Sequence, residues 1–453
     1  MQSSFQTIIV GAGIAGLVSA LELLQQGKDN ILIVDRDTKA RVGGLARWAF
    51  GGMALCNTEE QRRQKIPDSP ERLLKDWHSF AQFSNSDHWP KAWAKCYAQD
   101  NYQWVYLWLK SLGCKFLPAV NWVERGLNGE GNSVPRYHVL WGTGWHLVET
   151  VMTHLQPYVA QNKLTFLHQH KVIDINIDGK SVSGVSVTDE VDNKNVNLNC
   201  QHLIIACGGI NGSIEKVKEH WNAEEGKSPD YILNGASPLS DGKLHDLISR
   251  KGGKVTRQSD MWNYAAGIHH PKAEFEGHGL SLIPCKSALW LNHLGERIGP
   301  MPLITGFDTN DLCQQVAKQD KPWTWQVLNW KIALKELAVS GSAHNPSIKD
   351  HKLFSFLKEI LFGNKRLVNQ LMKESSDFIV ADNLETLTAR MNEQTNGNYL
   401  QTQTLENTIR DYDSQFSNGL SLTNDDQIRR ILHCRQWRTD KLRTLRPNPI
   451  LAE

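Results

Sequence analysis

The sequence predicts an α/β chain, a parallel sheet covered by helices, followed by a smaller mixed α+β cap. Three observations predict it. A strand–glycine–helix–strand unit opens the chain, with "TIIVGAGIAGL" at residues 7–17 running on to "ILIVD" at 31–35. An alternating meander, "FLHQHKVIDINIDGKSVSGVSVTD", precedes a glycine-ended apolar run, "HLIIACGGI", at 202–210. Beyond about residue 260 the pattern changes to short strands and turns, and from Lys331 onward to polar helices. With 453 residues the chain can hold two or more domains. Fifty Lys and Arg against 48 Asp and Glu leave no basic field that would argue for nucleic acid.

Cysteines stand at 56, 96, 114, 200, 207, 285, 313 and 434 without a C-x-x-C pair. That is neither a disulfide framework nor a zinc or haem signature, so no metal is expected and a reducing cytosol fits. The first strand begins almost at Met1, leaving no room for a signal peptide. No apolar run approaches the ~20 residues of a membrane span. The expectation is a soluble, cytoplasmic protein.

Each element of the opening unit has a reason. Thr7 to Val10 reads as a buried strand. Leu17, Ala20, Leu21 and Leu24 recur at helical spacing, and Gly27 suits a C-cap. The run Ile31 to Val34 is a second strand, ending in Asp35. Gly11 allows a tight turn, Gly13 lets a pyrophosphate approach the backbone, and Gly16 lets helix pack on strand. The helix N-terminus favours phosphate charge, and the Asp35 carboxylate can accept ribose hydroxyls. This is a Rossmann-like dinucleotide site; a plain glycine-rich turn is the bland alternative.

A NAD dehydrogenase would normally continue into further βα units. Here "RVGGLARWAFGGM" places Gly43-Gly44 and Gly51-Gly52 after the second strand, as backbone packed against an elongated ligand would require. A mobile surface loop would also explain them. The meander, turning at Asp178-Gly179, leads back into the parallel sheet and favours FAD over NAD. Trp77, Trp93, Trp104 and Trp108 lie on two helical stretches and are expected to be packing rather than cofactor clamps. Gly142-Thr143-Gly144 precedes an amphipathic helix, with Arg136 and His138 just before it.

The segments "IIVGAGIAGL", "GGLARWAFGG", "GNSVPRYHVLWGTG" and "LIIACGGI" resemble, in order, those of the FAD-dependent fumarate reductase and succinate dehydrogenase flavoprotein superfamily. Within it the chain is most similar to FAD-binding dehydrogenases related to 3-ketosteroid Δ1-dehydrogenases. The resemblance implies a Rossmann-like FAD-binding domain with a β-meander insertion over 1–260, and a cap or substrate domain over 261–453. It implies FAD contacts at Gly11, Gly13, Ala15, Gly16, Asp35, Arg36, Gly43, Gly44, Leu45, Ala46, Gly51, Gly52, Val172, Ala206 and Gly208. Some relatives attach FAD through a histidine in the paired-glycine segment. Residues 43–52 contain none, so a noncovalent flavin is expected. Cys207 stands where relatives often have threonine.

The implied reaction is hydride transfer between a substrate carbon and flavin N5, including desaturation beside a ketone, with proton transfer by the enzyme. Tyr264 is the first choice for the acid or base, with His269 or His270 as further titratable candidates. Arg136 and His138 are expected to polarise the carbonyl, unless they belong to a surface hydrogen-bond network. "LNHLGERIGP" loosely matches the fumarate reductase G-x-R-F-x-N-E segment, but Ile298, Gly299 and Pro300 break it. That counts against fumarate or succinate and favours an apolar ketone, with an unidentified electron acceptor. Relatives end in a Gly-rich segment that closes over the isoalloxazine. No adjacent glycine pair occurs after Gly252-Gly253 and the chain stops at "RTLRPNPILAE", so it reads as truncated before that segment. The rival expectation is a weakly active or inactive flavin-binding remnant; a NAD-dependent dehydrogenase ranks third.

Overall fold

The computed structural model describes residues 3–127, 131–417 and 419–451. The opening unit folds as its pattern requires: β1 (Ser4–Val10), α1 (Ile14–Gln25) and β2 (Ile31–Val34). Helix α1 buries Gly16, Leu17, Ala20, Leu21 and Leu24, and Gly27 follows it at φ +81°. The paired-glycine segment forms α2 (Gly44–Trp48) and β3 (Gly52–Ala54). Further on, β4 (Tyr137–Val139) pairs antiparallel with β3 and leads into α3 (Thr143–Ala160). The chain then returns through β5 (Leu164–Leu167), β6 (His170–Asp178), β7 (Ser181–Asp189) and β8 (Asn195–Ile205).

These strands make one six-stranded sheet in the order β5-β2-β1-β8-β7-β6. Strands β5, β2, β1 and β8 run parallel, whereas β7 and β6 are antiparallel neighbours beyond β8. Strand β8 serves both halves. Its first residues pair with β7 and its last with β1, and Asn199 faces Gly184 on one side and Ser4 on the other. One long strand therefore joins the meander to the parallel sheet. Alternation along the strands fills both faces. Ile9, Ile31 and Ile33 pack with α1 and with Leu147, Val148, Val151 and Leu155 of α3. Ile8, Val10, Leu32 and Val34 pack on the opposite face against Val185, Val187 and Leu198 of the meander.

A second core lies farther along the chain. The short strands β9 (Gly267–His269), β10 (Gly279–Ile283), β11 (Leu289–Leu291), β12 (Trp325–Val327) and β13 (Ala338–Val339) precede a run of helices. Leu289, Ile332, Leu371, Leu405, Ile409 and Ile428 are fully buried in one cluster. The two cores share no residue. They meet where Ser342 N–H donates to the Trp48 carbonyl and Arg41 pairs with Glu274 at 2.6 Å.

The tryptophans depart from expectation. Trp108 packs beside the first core, but Trp93 and Trp104 are 69% and 65% exposed and Trp77 is only half-covered, edge-on to Tyr97. The helix His88–Asn101 buries its small-residue face, Ala94 and Ala98, which leaves Trp93 outside. Residues Tyr102–Leu107 then form a π-helical segment. Its wider turn shifts the helical phase, so that Tyr106 points inward and Trp104 outward. A single 3.6-residue period drawn through this stretch assigns the wrong face.

Candidate functional site

The glycines at the top of β1 divide into two kinds. At Gly11, with φ +110°, a Cβ would stand 2.3 Å from the Ala206 carbonyl oxygen, and at Gly16 it would stand 1.9 Å from that of Gly11. Backbone packing requires glycine at both. Gly13 has an ordinary φ of −71°, and a Cβ there would meet nothing within 4 Å. Nothing in the protein explains that glycine; an elongated ligand crossing the turn does. Helix α1 starts at the same point with no side-chain cap and no acidic residue in its first turn, so its positive end is left for an anion. The residues present fit a dinucleotide pyrophosphate.

Asp35 ties the two strand ends together. Its Oδ2 accepts the Ala12 N–H at 2.5 Å and its Oδ1 accepts the Asp37 N–H at 2.7 Å. Burial pushes this carboxyl up, opposed by those two amides. Each oxygen keeps acceptor capacity for a hydroxyl. Arg36 beside it pairs with Glu190 at 2.9 Å and Asp241 at 3.0 Å. Gly43 N–H donates to the Ala12 carbonyl at 2.8 Å, which draws the paired-glycine segment onto the first turn. A Cβ on Gly44 would press on Gly13 at 3.2 Å, and one on Gly51 would lie 2.7 Å from the Gly144 nitrogen. These glycines sit in packed structure, not in a free loop. Leu45 is exposed and Ala46 packs beside the first core. At the neighbouring strand end Ala206 N–H donates to the Val10 carbonyl, and Gly208 (φ +79°) has only Ser240 Oγ near its missing Cβ, at 3.5 Å. Val172 lies on β6, opposite Val187 and two strands out from β8.

From this rim opens a cavity of about 1650 Å³. Leu45, Gly209 and Asn211 reach it from the glycine side, Trp325, Phe378 and Leu384 line it from the second core, and the exposed Trp262 and Tyr264 line it beside them. Tyr264 stacks on Trp262 with ring centroids 6.5 Å apart, and desolvation raises its phenol. The adjacent histidines at the end of β9 point apart. His269 lines the cavity and pairs with Asp377, while His270 stacks on His278 at 4.2 Å and lies 3.4 Å from His344. His270 is held below the usual histidine range by burial.

Arg136 and His138 do not reach this cavity. The Arg136 guanidinium is buried between Asp68, at 2.7 and 2.8 Å, and Asp76, at 2.6 Å. His138 is fully buried between the Thr58 hydroxyl and the Arg136 carbonyl, each at 2.7 Å, and burial depresses its pKa. The expectation that they polarise a substrate carbonyl is corrected: both groups are consumed by structural partners. The reason is strand alternation. Arg136, just before β4, and His138 within it lie on the inner face, and Tyr137 between them takes the other face. Its ring occupies the place where a Gly52 Cβ would stand, 1.9 Å away, and it interacts electrostatically with Tyr264. Burial pushes the Tyr137 phenol up to about 12. Sequence reasoning passed over Tyr137, although the alternation that selects it is legible in "RYHV".

Comparison with known proteins agrees with this geometry. A family model described as an FAD binding domain matches residues 6–448. A KsdD-like steroid dehydrogenase of Mycobacterium tuberculosis (strain CDC 1551 / Oshkosh) is 36% identical over 452 residues, covering 96% of this chain and 79% of that protein. Its counterpart from Mycolicibacterium smegmatis is 35% identical, over 85% of this chain and 73% of that one. Among solved structures, the open conformation of a flavocytochrome c3 fumarate reductase matches with TM-score 0.62 at 15% identity, over 92% of this chain and 62% of that one. A 3-ketosteroid-Δ4-(5α)-dehydrogenase from Rhodococcus jostii RHA1 matches with TM-score 0.59 at 14% identity, over 99% and 82%. Both structures share the mixed α/β fold. Among the described residues no helix is long and apolar enough to cross a membrane. The chain belongs to the FAD binding domain family, and it is an FAD-dependent oxidoreductase of the dehydrogenase type.

Proposed function

We propose that this chain dehydrogenates an apolar, steroid-like ketone, with FAD held noncovalently on the glycine rim. The carrying observation is the cavity: it is roomy, tryptophan, phenylalanine and leucine side chains make much of its wall, and Leu45 and Gly209 border it on the glycine side. Among the described residues no arginine lines it. Its cations are Lys227, Lys318 and Lys321, point charges without the fork that grips a dicarboxylate bidentately, and the aromatic and leucine side chains favour an apolar substrate. The KsdD-like steroid dehydrogenases, at 35–36% identity, support the same substrate class.

The flavin, when bound, accepts the hydride. The protein does the rest. The N-terminus of α1 and the Gly13 backbone receive the pyrophosphate, and Asp35 receives the ribose. Gly43, Gly44, Gly51, Gly52, Ala206 and Gly208 let backbone approach the remainder of the cofactor, with Ala15, Arg36, Leu45, Ala46 and Val172 as its further surroundings. Residues 1–260 form the cofactor domain, and residues 261–453 form a cap that keeps water from the reacting carbons and presents Tyr264 to the cavity. The test is spectral and then catalytic. The purified protein should show oxidised-flavin absorbance, and acid precipitation should release that flavin to the supernatant. With an artificial electron acceptor, 4-androstene-3,17-dione should be oxidised faster than succinate. Turnover of succinate without the ketone overturns the substrate assignment.

A further inference from the structure

A hydrogen-bonded chain of three residues lies in the wall of the cavity, which mixes apolar side chains with polar ones. Tyr231, His269 and Asp377 all line it. The Tyr231 hydroxyl lies 3.2 Å from His269 Nε2, and His269 Nδ1 lies 2.9 Å from Asp377 Oδ2. Asp377 Oδ2 also accepts the backbone N–H of His269 at 2.6 Å, which fixes the carboxylate against β9. Tyr231 and the His269 side chain are exposed, at 50% and 55%, while the Asp377 side chain is 19% exposed. The phenol is thus open to a ligand and the carboxylate is set behind.

The order of groups dictates the protons. A carboxylate only accepts, so His269 Nδ1 carries its proton toward Asp377. Nε2 is then the acceptor, and the Tyr231 hydroxyl donates to it. A hydroxyl donating to an imidazole that is oriented by a carboxylate is the arrangement that activates hydroxyls in acid–base and nucleophilic sites generally. Tyr264 differs: among the described residues its hydroxyl has no hydrogen-bond partner, and its ring makes a flat wall with Trp262.

We infer that Tyr231 is the base of the ketone dehydrogenation proposed above, on which this inference rests, and that His269 and Asp377 are its positioning residues. As substrate approaches, the phenolic proton passes to His269 Nε2, and Asp377 stabilises the imidazolium. The C–H bond beside the carbonyl breaks. Its proton forms a new O–H bond on Tyr231, and its electron pair enters the enolate. The relay goes from one negative charge to none while the substrate gains one, so charge balances. FAD is the oxidant that takes the hydride from the adjacent carbon.

Proton removal can be read apart from oxidation as deuterium uptake from D2O into 4-androstene-3,17-dione, followed by mass spectrometry on the anaerobic flavoprotein. Tyr231→Phe should slow uptake about 100-fold or more, in the range general-base loss produces. His269→Gln should do the same. In both variants flavin absorbance and steroid affinity should stay within about threefold of the unmodified protein. Asp377→Asn should slow uptake at least about tenfold, and Asp377→Glu should restore it, which a merely structural carboxylate would not require. Uptake in Tyr231→Phe equal to the unmodified protein overturns the relay while leaving the dehydrogenase reading intact. An unmodified flavoprotein that neither binds nor exchanges the steroid overturns the ketone reading and the relay with it.

Discussion

Removing the Arg136 side chain tests whether it is structural. The guanidinium makes four hydrogen bonds, three to the carboxylates of Asp68 and Asp76 and one to Asn132, all at 2.6–2.9 Å. Its side chain is 1% exposed, and those of Asp68 and Asp76 are 0% and 6% exposed. Arg136→Ala therefore strands two buried carboxylates, a change that typically costs about 3–5 kcal/mol. Each carboxylate retains other donors, Gln61 Nε2 and Ser69 N–H for Asp68, and the Ser133 N–H and hydroxyl for Asp76. Those place the expected loss near the lower end, about 3 kcal/mol. With an m-value of about 3 kcal/mol/M, the first urea transition followed by tryptophan fluorescence should move down by about 1 M. The fraction that remains folded should keep its flavin and its turnover per flavin. A variant as stable as the parent but without turnover would refute this reasoning and return Arg136 to the chemistry.

Two glycines of one motif should respond differently. Gly13→Val should leave the fold intact, since a Cβ there meets nothing within 4 Å, and should lower bound FAD at least about tenfold as the methyls enter the pyrophosphate path. A folded Gly13→Val protein with stoichiometric FAD, measured by absorbance, would contradict the site. Gly16→Ala should instead destabilise the chain itself, its Cβ standing 1.9 Å from the Gly11 carbonyl oxygen, so a fall in thermal midpoint without ligand is the readout. His344 supplies a pH dependence. Burial, then His270 and Arg366, depress it to about 4. As pH falls, the unfolded chain takes up the proton first, so stability present above about pH 6.5 is lost on the way down to about pH 4. By about pH 5 the loss is about 2 kcal/mol. Urea midpoints at pH 7 and pH 5 should differ less in His344→Gln than in the parent; an equal difference rules this histidine out as the cause.

What the sequence made legible is what local pattern encodes. The β1–α1–β2 unit and the meander were readable because periods of 3.6 and 2.0 leave their mark on short stretches. The faces of later elements were harder. Reading Arg136 and His138 as catalytic used proximity in the chain, whereas the strand pleat sends them inward and Tyr137 outward. The π-helical turn at Tyr102–Leu107 rotates Trp104 away from the core without any sign in the hydrophobic spacing. The group Tyr231, His269 and Asp377 lies beyond local pattern altogether, because its members are 38 and 108 residues apart and meet only through tertiary folding.

The glycines show why the cofactor was easier to read than the chemistry. A G-x-G-x-x-G string does not say which glycine serves the protein and which the ligand. Structure separates them: Gly11 and Gly16 are demanded by contacts within 2.3 Å, and Gly13 by no contact at all. A residue whose identity the protein's own packing leaves unexplained has its reason outside the chain. The same rule points to the Tyr231 hydroxyl. Asp377 and His269 are anchored by each other, whereas the Tyr231 phenol, its ring against His269, stays half-exposed at the end of their chain. In the proposed relay, what it serves is the molecule that fills the cavity.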